Sequence, residues 1–448
     1  MEYYLILNNM HRAKIAILGT GYVGTANAVG FAELGYDVIG YDIDERRIAG
    51  LLLGIPPYRE DGLGEPLARH LRSGRLTFVT DLAIAIKDAS FIIIAVGTPS
   101  KADGSADLSH LESAVESLRQ LSSERPKIVV LRSTVPAGTS DCIAERLPAH
   151  HQLLFCPEFL REGSAVWDFM HPDRTIIGAE SQRAAAAYAG LMRSLDAPVI
   201  VTGRRDAELI KGGANAFLAL KISFANEIAN LCGTLDADAR NVLQGIGADR
   251  RIGEAYLSPG IGFGGPCFEK DVQSLEHVAR NNGSPSHLLQ ATLRVNDAQP
   301  RKVVDILEEE LGGLRGSHVA VWGLAFKAGT DDLRTSLALR VLADLHDRGA
   351  TATAYDPAIE SAELPGRTKI ARSAMDAAAH ADALLVLTEW PEFSEVDPSA
   401  VAARLRGRVV VDGRNVLDGD RFARCGLRYR GVGLSAVPDP DDAAAVGA

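Results

Sequence analysis

The sequence lacks the features that mark several classes of protein. Its five cysteines (142, 156, 232, 267 and 425) are scattered and form no C-x-x-C pair, which argues against a disulfide framework and indicates a reducing cytoplasm. It has no apolar run near the roughly 18 residues of a membrane helix, and the short apolar stretch after Met1 has no signal-peptide cleavage signature. A formal net charge of -11 argues against general nucleic-acid binding. We therefore expect a cytoplasmic protein that binds neither membrane nor nucleic acid.

The length and the strand pattern predict more than one domain. A chain of 448 residues is too long for one hydrophobic core, and apolar strands that alternate with helical segments predict parallel sheets covered by helices. We expect an α/β protein with two Rossmann-like parallel-sheet domains, joined by a long central helix and a helical dimerisation region. The expected boundaries are a leader at 1–12, an N-terminal domain at 13–204, a central region at 205–300, a C-terminal domain at 301–435 and a flexible tail at 436–448.

A glycine motif directly follows the first apolar strand. The strand leads into Gly19-Thr-Gly-Tyr-Val-Gly24, an Ala-rich helical stretch comes next, and a second strand ends at Asp42. G-x-G-x-x-G between a strand and a helix, with an acid about 20 residues further on, is the context of a dinucleotide site. Asp42 would accept hydrogen bonds from ribose hydroxyls and repel a 2′-phosphate. This favours NAD over NADP, although NADP stays an alternative cofactor because Arg47 is nearby.

Further polar residues follow apolar strands, where α/β sheets bind ligands. Thr98 and Thr134 each follow such a strand, and the next strand leads into Pro157-Glu-Phe-Leu-Arg-Glu-Gly163. Glu158 and Glu162 would share one helical turn if this loop enters a helix. Two carboxylates at a strand end suit acid–base or water-positioning chemistry, and solvated loop acids are the alternative of equal weight.

A long helix is predicted at residues 206–231. Lys211 and Asn215 are four residues apart and share an otherwise apolar face. Burying these polar side chains without a polar partner costs free energy, so we expect them to have a function. Both could stabilise a developing oxyanion. The pair Gly212-Gly213 costs about 1 kcal/mol per glycine in a helix interior, so we expect another backbone or the ligand to approach closely there.

The stretch from Ile261 to Asp271 is the candidate for covalent chemistry. Two glycines before Cys267 would let a ligand approach the backbone. Lys270 and Asp271 follow, and a nearby cation raises the thiolate fraction of a cysteine. Considered alone, a buried cysteine in a glycine turn is the commoner explanation. The neighbouring Arg250-Arg251 pair could contact phosphate or sugar, or be an exposed pair without a ligand.

The C-terminal part repeats the order of the N-terminal motifs. Gly323, Asp356 and Thr388 follow strands there, in the same order as the glycine, acid and threonine of the first part. This part has no complete G-x-G-x-x-G. We therefore expect it to bind the nucleotide of the substrate rather than NAD.

Taken together, these motifs resemble those of the nucleotide-sugar 6-dehydrogenase family across about residues 14 to 435. Within the family, the resemblance is greatest to the members that oxidise UDP-glucose. The matching segments are Gly19-Thr-Gly-Tyr-Val-Gly24, Val96-Gly-Thr-Pro99, Ser133-Thr-Val-Pro136, Pro157-Glu-Phe-Leu-Arg-Glu-Gly163, Lys211, Asn215-Ala-Phe217, Gly262-Phe-Gly-Gly265 with Cys267, Phe326-Lys327, Asp331-Asp-Leu-Arg334 and Asp412-Gly-Arg414.

The resemblance implies an NAD-dependent four-electron oxidation of a nucleotide-activated hexose at C6, without a metal. UDP-glucose, two NAD and water would give UDP-glucuronate and two NADH, through a thiohemiacetal and a thioester on Cys267. Lys211 and Asn215 would stabilise oxyanions, and Asp271 would assist with water or protons. Thr134 and Glu158 would position the hydrolytic water.

The resemblance also implies two sets of binding residues and a homodimer or larger homo-oligomer. The long helix would form the dimer, and Arg251 would reach the site of the partner subunit. The implied NAD-binding residues are Gly19, Gly21, Tyr22, Val23, Gly24, Asp42, Arg47, Thr98, Thr134, Glu162 and Arg334. The implied substrate-binding residues are Glu158, Leu160, Lys211, Asn215, Arg251, Tyr256, Gly264, Phe326, Lys327 and Arg414.

Three alternatives to this interpretation remain open. The substrate could be dTDP-glucose or GDP-mannose. The chain could instead be a two-electron β-hydroxyacid dehydrogenase, which shares the layout and a helix Lys and Asn but needs neither Cys267 nor a second α/β domain. A non-catalytic sensor of NAD or sugar nucleotides is the third alternative.

Overall fold

The computed structural model describes residues 13–121 and 125–434. The expected leader (1–12) and the expected flexible tail (436–448) lie outside the described residues. The chain divides into two compact units. The first contains the described residues up to Ala214 together with Ser274–Ser284, and the second contains Asn215–Gln273 and the described residues from Pro285 onward.

An eight-stranded sheet forms the centre of the first unit. Its strands are β1 (Lys14–Leu18), β2 (Asp37–Tyr41), β3 (Leu76–Val79), β4 (Phe91–Ile94), β5 (Ile128–Leu131), β6 (Gln152–Phe155), β7 (Thr175–Ala179) and β8 (Val199–Thr202). They lie in the order β3-β2-β1-β4-β5-β6-β7-β8. The first six have the 3-2-1-4-5-6 order of a Rossmann fold, whose ligand site is at the carboxyl ends of β1 and β4.

Helices cover both faces of this sheet. They are α1 (Tyr22–Glu33), α2 (Glu45–Leu52), α3 (Gly64–Ser73), α4 (Leu82–Ile86), α5 (Ser109–Gln120), α6 (Thr139–Arg146), α7 (Ala165–Met170) and α8 (Gln182–Leu191). Successive residues of β1 belong to two separate cores, with Ile15 and Ile17 in one and Ala16 and Leu18 in the other. Side chains alternate across a strand, so a strand covered on both faces is apolar throughout.

The first sheet departs from the expected parallel arrangement at one place. The pair β6–β7 is antiparallel, with Leu154 opposite Ala179. The connection between these strands contains only the six-residue helix α7. An antiparallel strand near the edge of a parallel sheet is a common solution.

The predicted long helix is present and somewhat longer than expected. It is α9 (Arg204–Leu235), which begins in the first unit and continues into the second. Three more helices follow it, α10 (Ala239–Gly247), α11 (Phe268–Asn281) and α12 (His287–Leu311). The predicted helical central region is thus confirmed.

The second unit contains a six-stranded parallel sheet. Its strands are β9 (His318–Trp322), β10 (Thr351–Tyr355), β11 (Lys369–Ile370), β12 (Ala383–Val386), β13 (Val409–Asp412) and β14 (Arg428–Gly431), in the order β11-β10-β9-β12-β13-β14. Its helices are α13 (Leu337–Asp347), α14 (Ala374–Ala378), α15 (Pro391–Ser394), α16 (Pro398–Arg404) and α17 (Gly419–Arg424). The strand order again corresponds to 3-2-1-4-5-6, which confirms the prediction of two Rossmann-like sheets.

Candidate active site

The predicted dinucleotide turn lies between β1 and α1. Gly19 has a φ of 89°, and a Cβ there would come within 2.8 Å of the backbone of Ala95. At Gly24 a Cβ would overlap the carbonyl oxygen of Gly19 at 1.8 Å, so glycine is required where α1 packs on the turn. Beside Gly21, no atom of the described residues lies within 4 Å of a Cβ position. The turn therefore has the shape and the open side that a pyrophosphate requires.

The predicted ribose-binding acid, Asp42, is buried at the end of β2. Its Oδ2 accepts hydrogen bonds from Thr20 N (2.8 Å) and from Arg47 (2.8 Å), and its Oδ1 accepts one from Asp44 N (3.0 Å). Burial raises the pKa of Asp42, but these donors outweigh burial, so the pKa lies below its ordinary value. Arg47 is thus bound by the same carboxylate that would repel a 2′-phosphate.

Two tyrosines form the wall of the turn. The rings of Tyr22 and Tyr58 are 4.7 Å apart, Tyr58 Oη donates to Tyr22 O (2.9 Å), and Tyr22 Oη donates to Arg161 O (2.6 Å). Burial, followed by the charges of Glu60 and Glu162, raises the pKa of both phenols. Both hydroxyls therefore remain protonated donors, and the predicted NAD-binding residues Tyr22 and Glu162 lie close to each other.

The loop that carries Glu158 and Glu162 is not helical, so the condition under which they would share a helical turn is not met. Helix α7 begins only at Ala165. Within the loop, Leu160 N donates to Glu158 Oε2 (2.7 Å), and such side-chain acceptors compete with helical hydrogen bonds. Glu60, which the sequence did not indicate, accepts hydrogen bonds from Gly163 N (2.7 Å) and Ala165 N (2.6 Å) and holds the end of the loop.

The two predicted threonines meet at the carboxyl ends of β4 and β5. Thr98 is buried, and its hydroxyl donates to Thr134 O (2.7 Å). The chain after Thr134 is held by Glu208 of α9, whose Oε1 accepts a hydrogen bond from Ser140 N (2.7 Å) at the start of α6. Burial raises the pKa of Glu208. Sequence analysis did not select Glu208, although it lies on the buried side of the helix that carries Lys211.

Glu158 and Lys211 form a buried ion pair. Only 6% of Glu158 and 3% of Lys211 is exposed, and Lys211 Nζ lies 3.2 Å from Glu158 Oε1. Lys211 Nζ also lies 5.2 Å from the centre of the Phe159 ring. The first unit thus brings together Glu158, Leu160 and Lys211, all predicted to contact the substrate.

The expected close approach at Gly212 and Gly213 does not involve protein backbone. The nearest described atom to a Cβ on Gly212 is Leu275 Cδ1 at 3.9 Å, and for Gly213 no described atom lies within 4 Å. Packing among the described residues does not explain this pair of glycines. Approach of a ligand there stays a prediction.

Cys267 is exposed and lies directly before α11. Its carbonyl accepts a hydrogen bond from Asp271 N (2.9 Å), so the cysteine stands at the positive end of the helix dipole, which favours an anion such as a thiolate. Asp271 is buried, and its carboxylate binds Lys270 Nζ (2.8 Å) and Asn215 Nδ2 (2.6 Å). The second unit therefore connects Asp271 to Cys267 through its backbone N–H and to Asn215 through its carboxylate.

The glycines before Cys267 are required by protein contacts. A Cβ on Gly264 would lie 2.7 Å from Thr335 O, and one on Gly265 would lie 2.6 Å from the ring of Phe326. Thr335 Oγ1 also donates to Gly265 O (2.7 Å). Phe326 and Thr335 thus approach this loop closely, and the expected approach of a ligand stays a prediction.

Arg414 connects three segments of the predicted substrate site. Its Nε donates to Leu387 O (2.9 Å), and its two terminal nitrogens donate to Gly262 O (3.2 Å) and Phe326 O (3.3 Å). Lys327 Nζ lies 6.0 Å from the Phe326 ring. The second unit thus places Gly264, Phe326, Lys327 and Arg414 together.

Two buried asparagines that sequence analysis missed fix the loop before Cys267. Asn226 Oδ1 on α9 accepts a hydrogen bond from Gly260 N (2.7 Å). Asn296 on α12 exchanges two hydrogen bonds with the backbone of Phe263, at 2.7 and 2.9 Å. Their only sequence signal is an amide on an otherwise apolar helix face.

The other predicted substrate and cofactor residues of the second unit lie nearer the surface. Tyr256 has a φ of 65° and packs 6.0 Å from Phe268. The side chain of Arg251 is 84% exposed and binds Asp249 (2.6 Å), and that of Arg334 is 65% exposed and binds Asp332 (2.5 Å). Arg251 and Arg334 are therefore accessible to another molecule.

Three findings concern the described residues as a whole. No cluster of three or more His, Cys, Asp or Glu that could hold a metal ion occurs in residues 13–121 and 125–434. Over the same residues, every helix is too short or too polar to cross a membrane. All five cysteines are described, and they are thiols rather than disulfides.

The fold and the site define an NAD-dependent dehydrogenase built from two Rossmann-like units. The chain belongs to the UDP-glucose/GDP-mannose dehydrogenase family. The NAD binding domain of this family matches residues 13–196, the central domain matches 205–298, and the UDP binding domain matches 320–419. The predicted family, the enzyme class and NAD as cofactor are thereby confirmed, and a nucleotide-sugar substrate fits the family.

Individual relatives match over nearly the whole chain. The UDP-glucose 6-dehydrogenase TuaD of Bacillus subtilis is 40% identical over 96% of this chain and 95% of its own. The UDP-glucose 6-dehydrogenase AglM of Haloferax volcanii is 43% identical over 94% of this chain and 100% of its own. A solved UDP-glucose dehydrogenase from Pyrobaculum islandicum is 41% identical, with a TM-score of 0.89 and coverage of 95% of this chain and 99% of that one.

Proposed function

We propose that this chain oxidises UDP-glucose at C6 to UDP-glucuronate, with two NAD reduced and one water consumed. The observation that carries this proposal is an exposed cysteine at the start of α11, beside the buried Asp271–Asn215 pair. A two-electron hydroxyacid dehydrogenase has no step that requires such a cysteine. The choice of UDP-glucose rests on relatives of that activity at 40% and 43% identity.

The glycine turn and Asp42 would hold the cofactor. The open side of Gly21 suits the pyrophosphate, and buried Asp42 suits the ribose hydroxyls. Val23, Thr98, Thr134, Glu162 and Arg334 complete the proposed NAD-binding set. When bound, NAD takes one hydride from C6 in each of the two oxidations.

Cys267 would retain the sugar between the two oxidations. The first oxidation removes a hydride from C6 and a proton from its hydroxyl, and the thiolate then adds to the aldehyde carbon. Asn215 and Lys211 donate to the oxyanion of the thiohemiacetal, which favours its formation. Loss of a second hydride and a proton leaves a thioester. Keeping the aldehyde covalently bound prevents its release.

Hydrolysis would then release the acid and restore the thiol. Thr134 and Glu158 hold a water that attacks the thioester carbon, and the C–S bond breaks with the thiolate as leaving group. Asp271 assists the proton transfers that return the site to its starting protonation state. The sum is two hydrides and three protons lost, with a carboxylate as product.

The substrate nucleotide would be held by the second unit. Arg414 fixes the segment around Phe326 and Gly264, and Lys327 places a cation beside it. Tyr256, Arg251 and Leu160 are proposed to contribute further contacts to the substrate. We propose that the N-terminal domain (13–204) binds NAD and that the C-terminal domain (301–435) binds the nucleotide.

We further infer that α9 forms a homodimer. Phe217, Phe224 and Leu231 are spaced by seven residues and are 61%, 45% and 52% exposed. A heptad-spaced apolar stripe lies on one side of a helix and suits packing against another helix. Exposed Arg251 would act on the site of the partner subunit. A cytoplasmic location remains a prediction, supported by the five thiols.

A panel of nucleotide sugars tests the proposed substrate. NADH formation would be measured with UDP-glucose, dTDP-glucose and GDP-mannose at equal concentrations. We expect the highest kcat/KM with UDP-glucose. A higher kcat/KM with GDP-mannose or dTDP-glucose would contradict the proposed nucleobase and leave the four-electron chemistry intact.

A further inference from the structure

A buried arginine lies beneath the loop that carries Glu158. Arg132 directly follows β5 and is 7% exposed. One of its terminal nitrogens donates to Cys156 O (3.2 Å), Pro157 O (3.2 Å) and Cys156 Sγ (3.0 Å). Within the described part of the chain it forms no ion pair, and its Nε has no hydrogen-bond partner. Burying a guanidinium costs free energy unless neighbouring groups compensate its charge. The burial of Arg132 therefore suggests that its charge has a function.

The backbone alone does not hold the segment before Glu158. Beyond the end of β6, Cys156 N donates to Leu131 O (3.0 Å). The next residue is Pro157, which has no N–H to donate. Arg132 binds the carbonyl oxygens of these two residues and so extends the contact between the ends of β5 and β6 to the residue before Glu158.

The charge of Arg132 also acts on Glu158. Burial lowers the pKa of Arg132, but Cys156, Tyr188 and Glu158 raise it by more, so the guanidinium remains charged. Glu158 is the carboxylate in this group. The Glu158 carboxylate pairs with Lys211 of α9 at 3.2 Å. It therefore lies in the electric field of two cations, Lys211 and Arg132.

We propose that Arg132 is a positioning residue that aims the Glu158 carboxylate at Lys211 and at the hydrolytic water. This inference rests on the proposed function, in which Glu158 holds that water. A lysine cannot replace the arginine, because one terminal nitrogen of Arg132 makes all of these contacts with Cys156 and Pro157 and the ammonium of a lysine, on a side chain one bond shorter, does not reach that position. Loss of this positioning should slow the hydrolysis of the thioester, the step in which Glu158 holds the water.

The test compares Arg132→Lys with a matched control. Arg204 is another buried arginine of the first unit, bound to Asp141 (2.9 Å) and Glu180 (2.5 Å). Both Arg→Lys variants should lower the Tm. Only Arg132→Lys should lower kcat, by roughly 10- to 100-fold, as expected for a small misplacement of a reacting group. It should also accumulate a sugar adduct on Cys267 by mass spectrometry, with an unchanged Kd for NAD.

A double-mutant comparison separates positioning from general destabilisation. In a Glu158→Gln background, adding Arg132→Lys should change kcat by less than about twofold, because coupled residues are non-additive. Independent, multiplicative losses would overturn the proposal, as would a kcat equal to that of the Arg204→Lys control. Failure of the proposed function would be seen separately, as a wild-type enzyme that releases one NADH per sugar. The dependence of the Arg132 effect on Glu158 can be measured in either case.

Discussion

The buried Glu158–Lys211 pair allows stability and catalysis to be separated. Lys211→Met keeps the length and apolar character of the side chain but removes the charge and its 3.2 Å contact with Glu158 Oε1. Glu158 is then left buried with its hydrogen bond from Leu160 N and without the cation that contacts its carboxylate. Removing one partner of a buried pair costs roughly 3–5 kcal/mol. For a domain of about 200 residues this lowers the Tm by roughly 6–20 °C.

The same substitution should lower turnover through a different cause. Lys211 is a proposed oxyanion donor, and removal of one such donor lowers kcat by roughly 10²- to 10³-fold. Adding Glu158→Gln to Lys211→Met replaces a charged pair by a neutral one, which is often neutral for stability. The double variant should therefore recover most of the Tm but none of the kcat.

The assays are thermal unfolding and steady-state NADH release. Lys14→Met is the matched control, because the pair of Lys14 with Asp88 is exposed (3.4 Å) and worth at most about 1 kcal/mol. If the double variant recovers kcat together with the Tm, Lys211 acts only through folding. A Lys211→Met protein with unchanged Tm would refute the argument about the buried pair.

Three further predictions follow from the same structure. Asp42→Ala should lower the ratio of kcat/KM for NAD to that for NADP by roughly 10- to 100-fold, the value of a charge-assisted hydrogen bond; equal use of both cofactors by the wild type would contradict it. Cys267→Ser should bind NAD and UDP-glucose normally, release little NADH and trap a sugar ester by mass spectrometry, because a serine alkoxide forms far less readily than a thiolate; near-normal NADH release would make Cys267 structural. His151 accepts a hydrogen bond from Lys127 N (3.3 Å), and burial, followed by the charges of His150 and Lys127, lowers its pKa to about 4. Its contribution to stability is present above pH 6.5 and is lost as the pH falls towards 4, by at most ~1.4 kcal/mol per pH unit; unfolding of His151→Gln should lack this pH dependence, and an identical pH dependence would refute it.

Local sequence patterns predicted the parts of the site that local geometry defines. The glycine turn follows from Gly19 and Gly24, where a Cβ would overlap neighbouring backbone, and from Gly21, whose side is open, all within one strand–helix connection. Asp42 follows from the end of the second strand, and Cys267 stands out because two glycines precede it. Each signal lies within a few residues of the feature that it predicts.

The residues that hold these parts in place could not be predicted in the same way. Glu60 binds the backbone of Gly163 across 103 residues of sequence, and Asn296 binds Phe263 across 33. A lone acid in a turn or an amide on a helix has many uses, and only the tertiary structure selects one. The Glu158 loop becomes helical only from Ala165, because side-chain acceptors bind backbone N–H groups before that residue.

The central claim is that Cys267 retains the sugar between two oxidations. The most direct measurement is the number of NADH molecules formed per UDP-glucose under single-turnover conditions, with an aldehyde trap present. Covalent retention predicts two NADH per sugar and no trapped aldehyde. One NADH per sugar, or an aldehyde captured by the trap, would contradict the account.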